Sequence, residues 1–151
     1  MKKILVLLLC VASAQFINAQ GFSITVRMVT GSDDLRGGNN AYLSLNFTDG
    51  TSSEEVGLGG GFGQNSEITK QIKVSGSGDV NSIRSVTIRH DGSPRSGEPF
   101  DSYDNWDLQA ISLMSDEGYI NIYNSRNDYR KNRFVQRFTG QTRSITLFTQ
   151  R

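Results

Sequence analysis

The sequence predicts an all-β fold, an antiparallel β-sandwich of roughly eight strands. Two patterns lead to this prediction: short segments alternate apolar and polar residues, and turn-forming residues separate them. The chain has 151 residues, which allows one domain and excludes a helical array or a multi-domain enzyme.

The first segment is predicted to be removed before the domain acts. Residues 1–19 have the features of a secretory signal peptide, in which two lysines precede an apolar run from Ile4 to Ala14. That run is too short to span a bilayer but fits the core of a signal. Cleavage is expected after Ala19, with Ala14 as the alternative. Residues 20–151 then form a secreted or periplasmic domain.

Removing the signal changes the charge balance. Two of the 16 Lys and Arg residues are lost, so 14 face 15 Asp and Glu and the net charge is −1. A near-neutral domain is not drawn to nucleic acid by its overall charge. The one cysteine, Cys10, is also lost with the signal, which excludes disulfides and thiolate metal sites. We expect a monomer that does not bind nucleic acid.

The strands follow one another with few interruptions. Phe22, Ile24, Val26 and Met28 form the apolar face of the first, and Ala41, Leu43, Leu45 and Phe47 form that of the second. The same alternation recurs at Ile68, Ile72 and Val74, at Val86 and Ile88, at Trp106, Leu108 and Ala110, at Ile120 and Ile122, at Phe134 and Phe138, and at Ile145 and Leu147. A period of two places one face in a core. Glycine-rich stretches between the strands, Gly57 to Gly63 among them, predict turns.

Two loops are rich in side-chain oxygens. The first runs from Gly31 to Asn40 and contains Asp33, Asp34, Asn39 and Asn40. The second runs from His90 to Asp107 and contains Asp91, Glu98, Asp101, Asp104 and Asp107. A sandwich gathers its loops at its ends, and Ca²⁺ prefers oxygen ligands of this kind. The alternative is that these residues only favour turns.

Several segments together resemble the PLAT family (polycystin, lipoxygenase, alpha-toxin). They are Ile24 to Gly31, Gly37 to Leu45, Ile83 to Asp91 and Asp104 to Ile111, and the resemblance covers roughly residues 22 to 123. It implies a two-sheet sandwich that binds lipids, membranes or protein partners, in some members with Ca²⁺. Carried over by position, it implies the metal ligands Asp33, Asp34, Gly37, Asn39, Asp91 and Asp104. The family's Gly-Thr-Asp turn here reads Gly37-Gly38-Asn39.

Two further groups of residues are candidates for contact with a ligand. The candidate aromatic contacts are Phe100, Tyr103 and Trp106, although Trp106 also fits a core position. A basic patch consists of Arg126, Arg130, Lys131, Arg133 and Arg137, opposed in this segment only by Asp128. The patch could bind an anion, or it could be a solvated face paired with the acidic loops.

The sequence therefore predicts a secreted, non-catalytic binding module. Its loop end is expected to bind calcium and to contact a lipid headgroup, a glycan or a protein, including peripheral contact with a membrane. One alternative is a small hydrolase that uses paired carboxylates, Asp91 with Asp104 or Glu98. A structural surface or matrix protein is the other.

Overall fold

A computed structural model describes residues 21–75, 78–92, 103–122 and 135–150. The described residues form nine strands, numbered here in chain order. They are β1 (Phe22–Thr30), β2 (Ala41–Phe47), β3 (Val56–Gly59), β4 (Glu67–Val74), β5 (Ile83–His90), β6 (Trp106–Ser115), β7 (Gly118–Ile120), β8 (Gln136–Phe138) and β9 (Ser144–Phe148). A 3₁₀ turn, Val80–Ser82, precedes β5. Within these residues no helix has the length and apolar character needed to cross a bilayer.

The strands form two antiparallel sheets. One has the order β4-β1-β6-β7, with β8 also paired to β6, and the other has the order β3-β2-β5-β9. β8 pairs with the first residues of β6 and β7 with the last, so both lie along the same edge of that strand. The predicted antiparallel sandwich is confirmed.

Alternation along the strands fills the space between the sheets. The predicted inward residues of β2 are at most 1% exposed, and those of β1 from Ile24 to Met28 are equally buried. Trp106 stacks on Phe138 with ring centroids 5.0 Å apart. Because each fully buried side chain of this kind contributes about 1.5–3 kcal/mol, one contiguous core holds the sandwich together without disulfides.

The structure differs from the prediction at the glycine-rich stretch from Gly57 to Gly63. Its first residues belong to β3, a four-residue edge strand, rather than to a turn. The pairing shifts register between Ala41 and Tyr42, and Gly59 adopts a φ of 89°. Glycine permits this conformation, so a segment with the composition of a turn still pairs as a short, irregular edge.

Candidate loop-end binding site

Four connections meet at one end of the sandwich, because the strands that they join all begin or end there. We call this end the loop end and define it by the described residues 31–40, 60–66, 91–92 with 103–105, and 139–143. Backbone hydrogen bonds join the connections to one another. The Leu35 N–H donates to the Phe62 carbonyl at 2.9 Å, and the Asp91 N–H donates to the Asn40 carbonyl at 3.1 Å.

A buried carboxylate anchors the first loop. Asp107 is fully buried, and its Oδ2 accepts hydrogen bonds from Ser32 Oγ and from the Asp33 N–H, both at 3.1 Å. Arg137 supplies the opposing charge, since its Nη1 lies 3.0 Å from Asp107 Oδ1. The other guanidinium nitrogen, Nη2, donates to Asp33 Oδ2 at 2.7 Å. Arg137 on β8 therefore bridges an acid of the first loop and an acid of β6.

A second arginine pairs with Asp104. The Arg36 N–H donates to Asp104 Oδ2 at 2.9 Å, and Arg36 Nε lies 3.5 Å from Asp104 Oδ1. His90 Nε2 is 3.8 Å from the same carboxylate. The first loop is thus held at two points, each an arginine–aspartate pair.

His90 lies beneath these pairs and is fully buried. The Tyr103 hydroxyl is 3.1 Å from His90 Nδ1 and also reaches the His90 carbonyl at 3.2 Å. Burial lowers the pKa of His90 and outweighs the opposite effect of Asp104 and Asp91. Within the described residues, His90 Nε2, Trp106 Nε1 and Asn39 Nδ2 are buried polar atoms without a hydrogen-bond partner.

Asp91 fixes the start of β2. Its carboxylate accepts a hydrogen bond from the Asn40 N–H at 2.7 Å and another from the Tyr42 hydroxyl at 3.2 Å. Burial acts to raise the pKa of Asp91, but these hydrogen bonds outweigh it and hold the pKa below its usual value. Asp91 is therefore ionised at neutral pH.

The carboxylates at this end outnumber the guanidinium groups. Burial raises the pKa of Asp33, Arg137 opposes that shift, and the negative charges of Asp107, Asp104 and Asp34 add to it. These interactions show that the four acids share one electrostatic environment. Asp91 and Arg143 also belong to this end, so among its described residues five carboxylates face the three guanidinium groups of Arg36, Arg137 and Arg143, and their formal charge is −2.

No protein-family model matches the sequence, and neither does any curated protein. Solved structures do match. The alpha-toxin of Clostridium absonum aligns with a TM-score of 0.56 and 19% identity over 92% of this chain and 33% of that one. The Clostridium perfringens alpha-toxin aligns with a TM-score of 0.55 and 16% identity over 87% of this chain and 32% of that one. Coral 8R-lipoxygenase aligns with a TM-score of 0.55 and 12% identity over 84% of this chain and 17% of that one. It is described as activated by calcium via a C2-like domain.

Lipoxygenases and alpha-toxins are two of the protein groups after which the PLAT family is named. The chain has a PLAT-like fold. It spans between about a sixth and a third of the length of these proteins, and at such identities the likeness concerns the fold alone.

The PLAT-like domain brings all six predicted metal ligands to one end. Asp33, Asp34 and Asp104 interact electrostatically there. Gly37 and Asn39 lie in a turn closed by the Asn39 N–H and the Arg36 carbonyl at 3.2 Å. Asp91 lies at the same end, but the hydrogen bonds described above direct its carboxylate to Asn40 and Tyr42. The assignment of these residues as ligands stays a prediction.

The structure gives different outcomes for the residues predicted to contact a ligand. Trp106 is fully buried, so its prediction as a ligand contact is wrong, and the indole is a core residue between the sheets. Tyr103 is only partly exposed, and its ring packs against Arg143, whose guanidinium carbon lies 4.8 Å from the ring centroid. The remaining predicted residues, Phe100, Arg126, Arg130, Lys131 and Arg133, lie outside the described residues.

Asp107 belongs to the second acidic loop of the sequence but is not among the predicted ligands. Three consecutive residues, Trp106, Asp107 and Leu108, are buried, whereas alternation along β6 predicts that the middle one faces solvent. The first loop and Arg137 cover it there. In the sequence, Asp107 is marked only by its position between two core residues, Trp106 and Leu108. That position does not show which residues cover the outer face of β6.

The donors at the loop end fit a calcium ion in chemistry and in charge. Their ligand atoms are oxygens, and a formal charge of −2 matches a divalent cation. In the part of the chain described, however, no three His, Cys, Asp or Glu side chains are grouped so as to hold a metal ion. Asp104 and Asp33 are instead paired with Arg36 and Arg137.

The buried histidine predicts an acid-sensitive fold. A base whose pKa is lower in the folded state than in the unfolded state costs stability once the unfolded chain takes up the proton. In chelator, the free energy of unfolding should therefore fall below about pH 6.5, by at most about 1.4 kcal/mol per pH unit. The charged groups facing His90 are Asp91, Asp104, Arg36 and Arg143.

Urea unfolding measured from pH 7.5 to pH 5 tests this expectation. His90 is the only histidine of the chain, so a His90→Gln variant should lose the slope in this range whatever its absolute stability. An equal slope in the variant would contradict the assignment to His90.

Proposed function

We propose that the chain is a secreted, non-catalytic PLAT-like module that binds calcium at its loop end and thereby contacts anionic lipid headgroups. The observation that carries this proposal is the uncompensated charge there. Among the described residues of this end, five carboxylates face three guanidinium groups, which leaves two negative charges at the tip of the sandwich.

The residues of the first loop are the ones that would hold the ion. Asp33 and Asp34 are half-buried residues of the loop, and Gly37 and the buried Asn39 lie in the turn that follows. A bound calcium ion would supply a positive centre that still has room for phosphate oxygens. Asp33 must then exchange its partner Arg137 for the ion, so we expect weak affinity.

One structural neighbour supports this proposal. Calcium activation of the coral lipoxygenase is attributed to a C2-like domain, and the matched part of that protein shares the fold of this chain. The loop end corresponds to the end at which the resemblance to the PLAT family places calcium.

Within the described residues, the geometry disfavours a hydrolase that pairs Asp91 with Asp104; Glu98, the other candidate partner, lies outside them. A pair of catalytic carboxyl groups needs one member with a raised pKa to act as the general acid. Asp91 has a lowered pKa, and Asp104 is paired with Arg36. His90, the only imidazole, is fully buried and lies against Tyr103. These arrangements are suited to stability rather than to proton transfer, which supports a binding role.

Export is part of the proposal and rests on residues 1–19. Calcium concentrations outside the cytoplasm are high enough to occupy a weak site, since extracellular modules operate with a Kd of about 10⁻⁴–10⁻³ M. A secreted or periplasmic location therefore agrees with the weak affinity expected here.

Two measurements on residues 20–151 test the proposal. Millimolar calcium should raise the midpoint of thermal unfolding relative to chelator, because the ion binds the folded state alone. In calcium, but not in chelator, the protein should sediment with vesicles of phosphatidylcholine and phosphatidylserine and not with phosphatidylcholine alone.

A double variant, Asp33→Asn with Asp34→Asn, should lose both effects. Asp116→Asn removes one negative charge from the opposite end, in the turn between β6 and β7, and should lose neither. If calcium does not shift the wild-type midpoint, the calcium part is excluded. Vesicle binding that chelator does not weaken would exclude the ion as the bridge, and binding to no vesicle would favour the structural alternative.

A further inference from the structure

One guanidinium group at the loop end is not paired with a carboxylate. Arg36 pairs with Asp104 there. Arg137 pairs with Asp33. Arg143, an exposed residue directly before β9, forms no ion pair with any described residue. Its positive charge is therefore available to a ligand.

The side chain of Arg143 is nevertheless held in place. Its guanidinium carbon lies 4.8 Å from the centroid of the Tyr103 ring, a cation–π contact. Its Nε donates to the Gly140 carbonyl at 3.1 Å. Among the described residues, neither Nη1 nor Nη2 has a hydrogen-bond partner. We call Arg143 and Tyr103 the arginine–tyrosine stack, and its two Nη atoms are the donors that remain for a ligand.

Tyr103 is a rigid support for this guanidinium. Its hydroxyl reaches the His90 carbonyl at 3.2 Å and lies 3.1 Å from His90 Nδ1. Two glycines let the backbone approach the ring closely. A Cβ built on Gly92 would overlap the Tyr103 ring, and one built on Gly140 would lie 3.3 Å from Tyr103 Cβ. The ring is therefore fixed by contacts on several sides.

The turn that carries Arg143 is also ordered. Thr139 Oγ1 accepts hydrogen bonds from the N–H groups of Gln141 and Thr142, at 3.3 and 3.2 Å. The Thr139 N–H donates to the Thr142 carbonyl at 3.0 Å. The Arg143 carbonyl accepts from the His90 N–H at 2.9 Å, which joins the end of the turn to β5. A ligand of Arg143 would therefore meet a preformed donor group, which reduces the entropy lost on binding.

The chemistry of the stack fits a phosphate group. A guanidinium presents parallel N–H donors that match two oxygens of one phosphate, and such charged hydrogen bonds are among the stronger ones. The described acids and bases of the loop end sum to a formal charge of −2. An anion is repelled by this charge until a divalent cation offsets it, so phosphate binding should depend on calcium.

We propose that the arginine–tyrosine stack binds the phosphate group of an anionic lipid headgroup. This inference rests on the proposed function, since it needs calcium at the loop end and a membrane beside it. Nη1 and Nη2 of Arg143 donate to two phosphate oxygens, while Tyr103 holds the guanidinium and does not touch the lipid. Arg143 thereby makes the contact selective for phosphate rather than for negative charge in general.

Sedimentation with vesicles in calcium tests the proposal. One set contains phosphatidylcholine and phosphatidylglycerol, whose anionic group is a phosphate. The other contains phosphatidylcholine and cholesteryl hemisuccinate, a carboxylate, at equal surface charge. Wild type should prefer the phosphatidylglycerol vesicles, and Arg143→Gln should bind them about tenfold more weakly and lose the preference. Arg143→Lys keeps the charge without the planar fork and should bind several-fold more weakly.

Arg84→Gln is the matched control, because it removes the same charge from an exposed position at the opposite end and should change nothing. Calcium should still raise the unfolding midpoint of Arg143→Gln, which shows that the variant folds and holds the ion. If Arg143→Gln or Arg143→Lys binds as well as wild type, the phosphate contact is overturned and the calcium proposal stands. If wild type binds no vesicle, both proposals fail.

A soluble phosphate ester is the other source of the same chemistry. Nuclear magnetic resonance of the Arg143 Nε–H group in calcium distinguishes the two sources. Glycerol phosphate should shift this signal only at millimolar concentration, and acetate should shift it less. Saturation by micromolar glycerol phosphate would make a free phosphate ester the ligand and overturn the lipid assignment. An equal response to acetate would overturn the selectivity for phosphate.

Discussion

Replacing Arg137 by glutamine is expected to lower the free energy of unfolding by about 2–3 kcal/mol in chelator. The substitution leaves Asp107, which is fully buried, without its charged partner. Breaking a fully buried ion pair costs about 3–5 kcal/mol. The side chain of Arg137 is 46% exposed, so the loss should lie toward the range of a charged hydrogen bond, about 1.5–3 kcal/mol.

Urea denaturation followed by tryptophan fluorescence measures this change, because Trp106 is the only tryptophan and adjoins Asp107 in sequence. Arg84→Gln is the matched control. It removes the same charge from an exposed position near the start of β5, away from the loop end. An equal loss in both variants would show that the effect is one of net charge rather than of the pair with Asp107.

Calcium should partly reverse the loss. Without Arg137 the formal charge of the loop-end group becomes −3, and Asp33 no longer shares its carboxylate with a guanidinium. A divalent cation should then bind more tightly than in the wild type and raise the unfolding midpoint by more at the same concentration. If calcium stabilises the variant less than the wild type, Arg137 does not compete with the ion.

The outcome at Arg137 shows what charge patterning in a sequence can predict. The basic segment allows two interpretations, an anion-binding patch or a face paired with the acidic loops. For Arg137 the second is correct, since its guanidinium joins Asp33 and Asp107. The partners lie 104 and 30 positions away along the chain. A pattern within one segment cannot identify partners that only the pairing of β8 with β6 brings near.

Strand patterns carry more information. The alternation in β1 and β2 predicts both the strands and their inward faces, because period two is a local property. β3 was not predicted, because its glycines are typical of a turn and nothing in the sequence shows that the segment pairs at the edge of a sheet. Trp106 is ambiguous for a similar reason, since an aromatic at the start of a strand packs in the core or projects from a loop depending on what covers it. Here Phe62, Phe138 and His90 surround it.

Gly60→Ala is expected to disturb the loop end more than the same exchange at any other described glycine of that end. A Cβ built on Gly60 would lie 1.6 Å from the Asn39 carbonyl oxygen and 2.8 Å from its carbonyl carbon. Both are backbone atoms, so no side-chain rotation relieves the clash, and the turn from Gly37 to Asn39 must move. Overpacking costs about 1–3 kcal/mol, and this clash should lie at the upper end.

The displaced turn carries two of the proposed calcium ligands, so calcium affinity should fall along with stability. Gly63→Ala is the matched control, because a Cβ there meets no atom within 4 Å and the backbone has no positive φ. Calorimetric titration of calcium into each folded variant separates the two effects. Weaker binding in Gly60→Ala alone would show that the turn holds the ion. Equal calcium affinity in both variants and the wild type would instead place the ion on Asp33 and Asp34 without the turn, because only the turn depends on the close approach of Gly60.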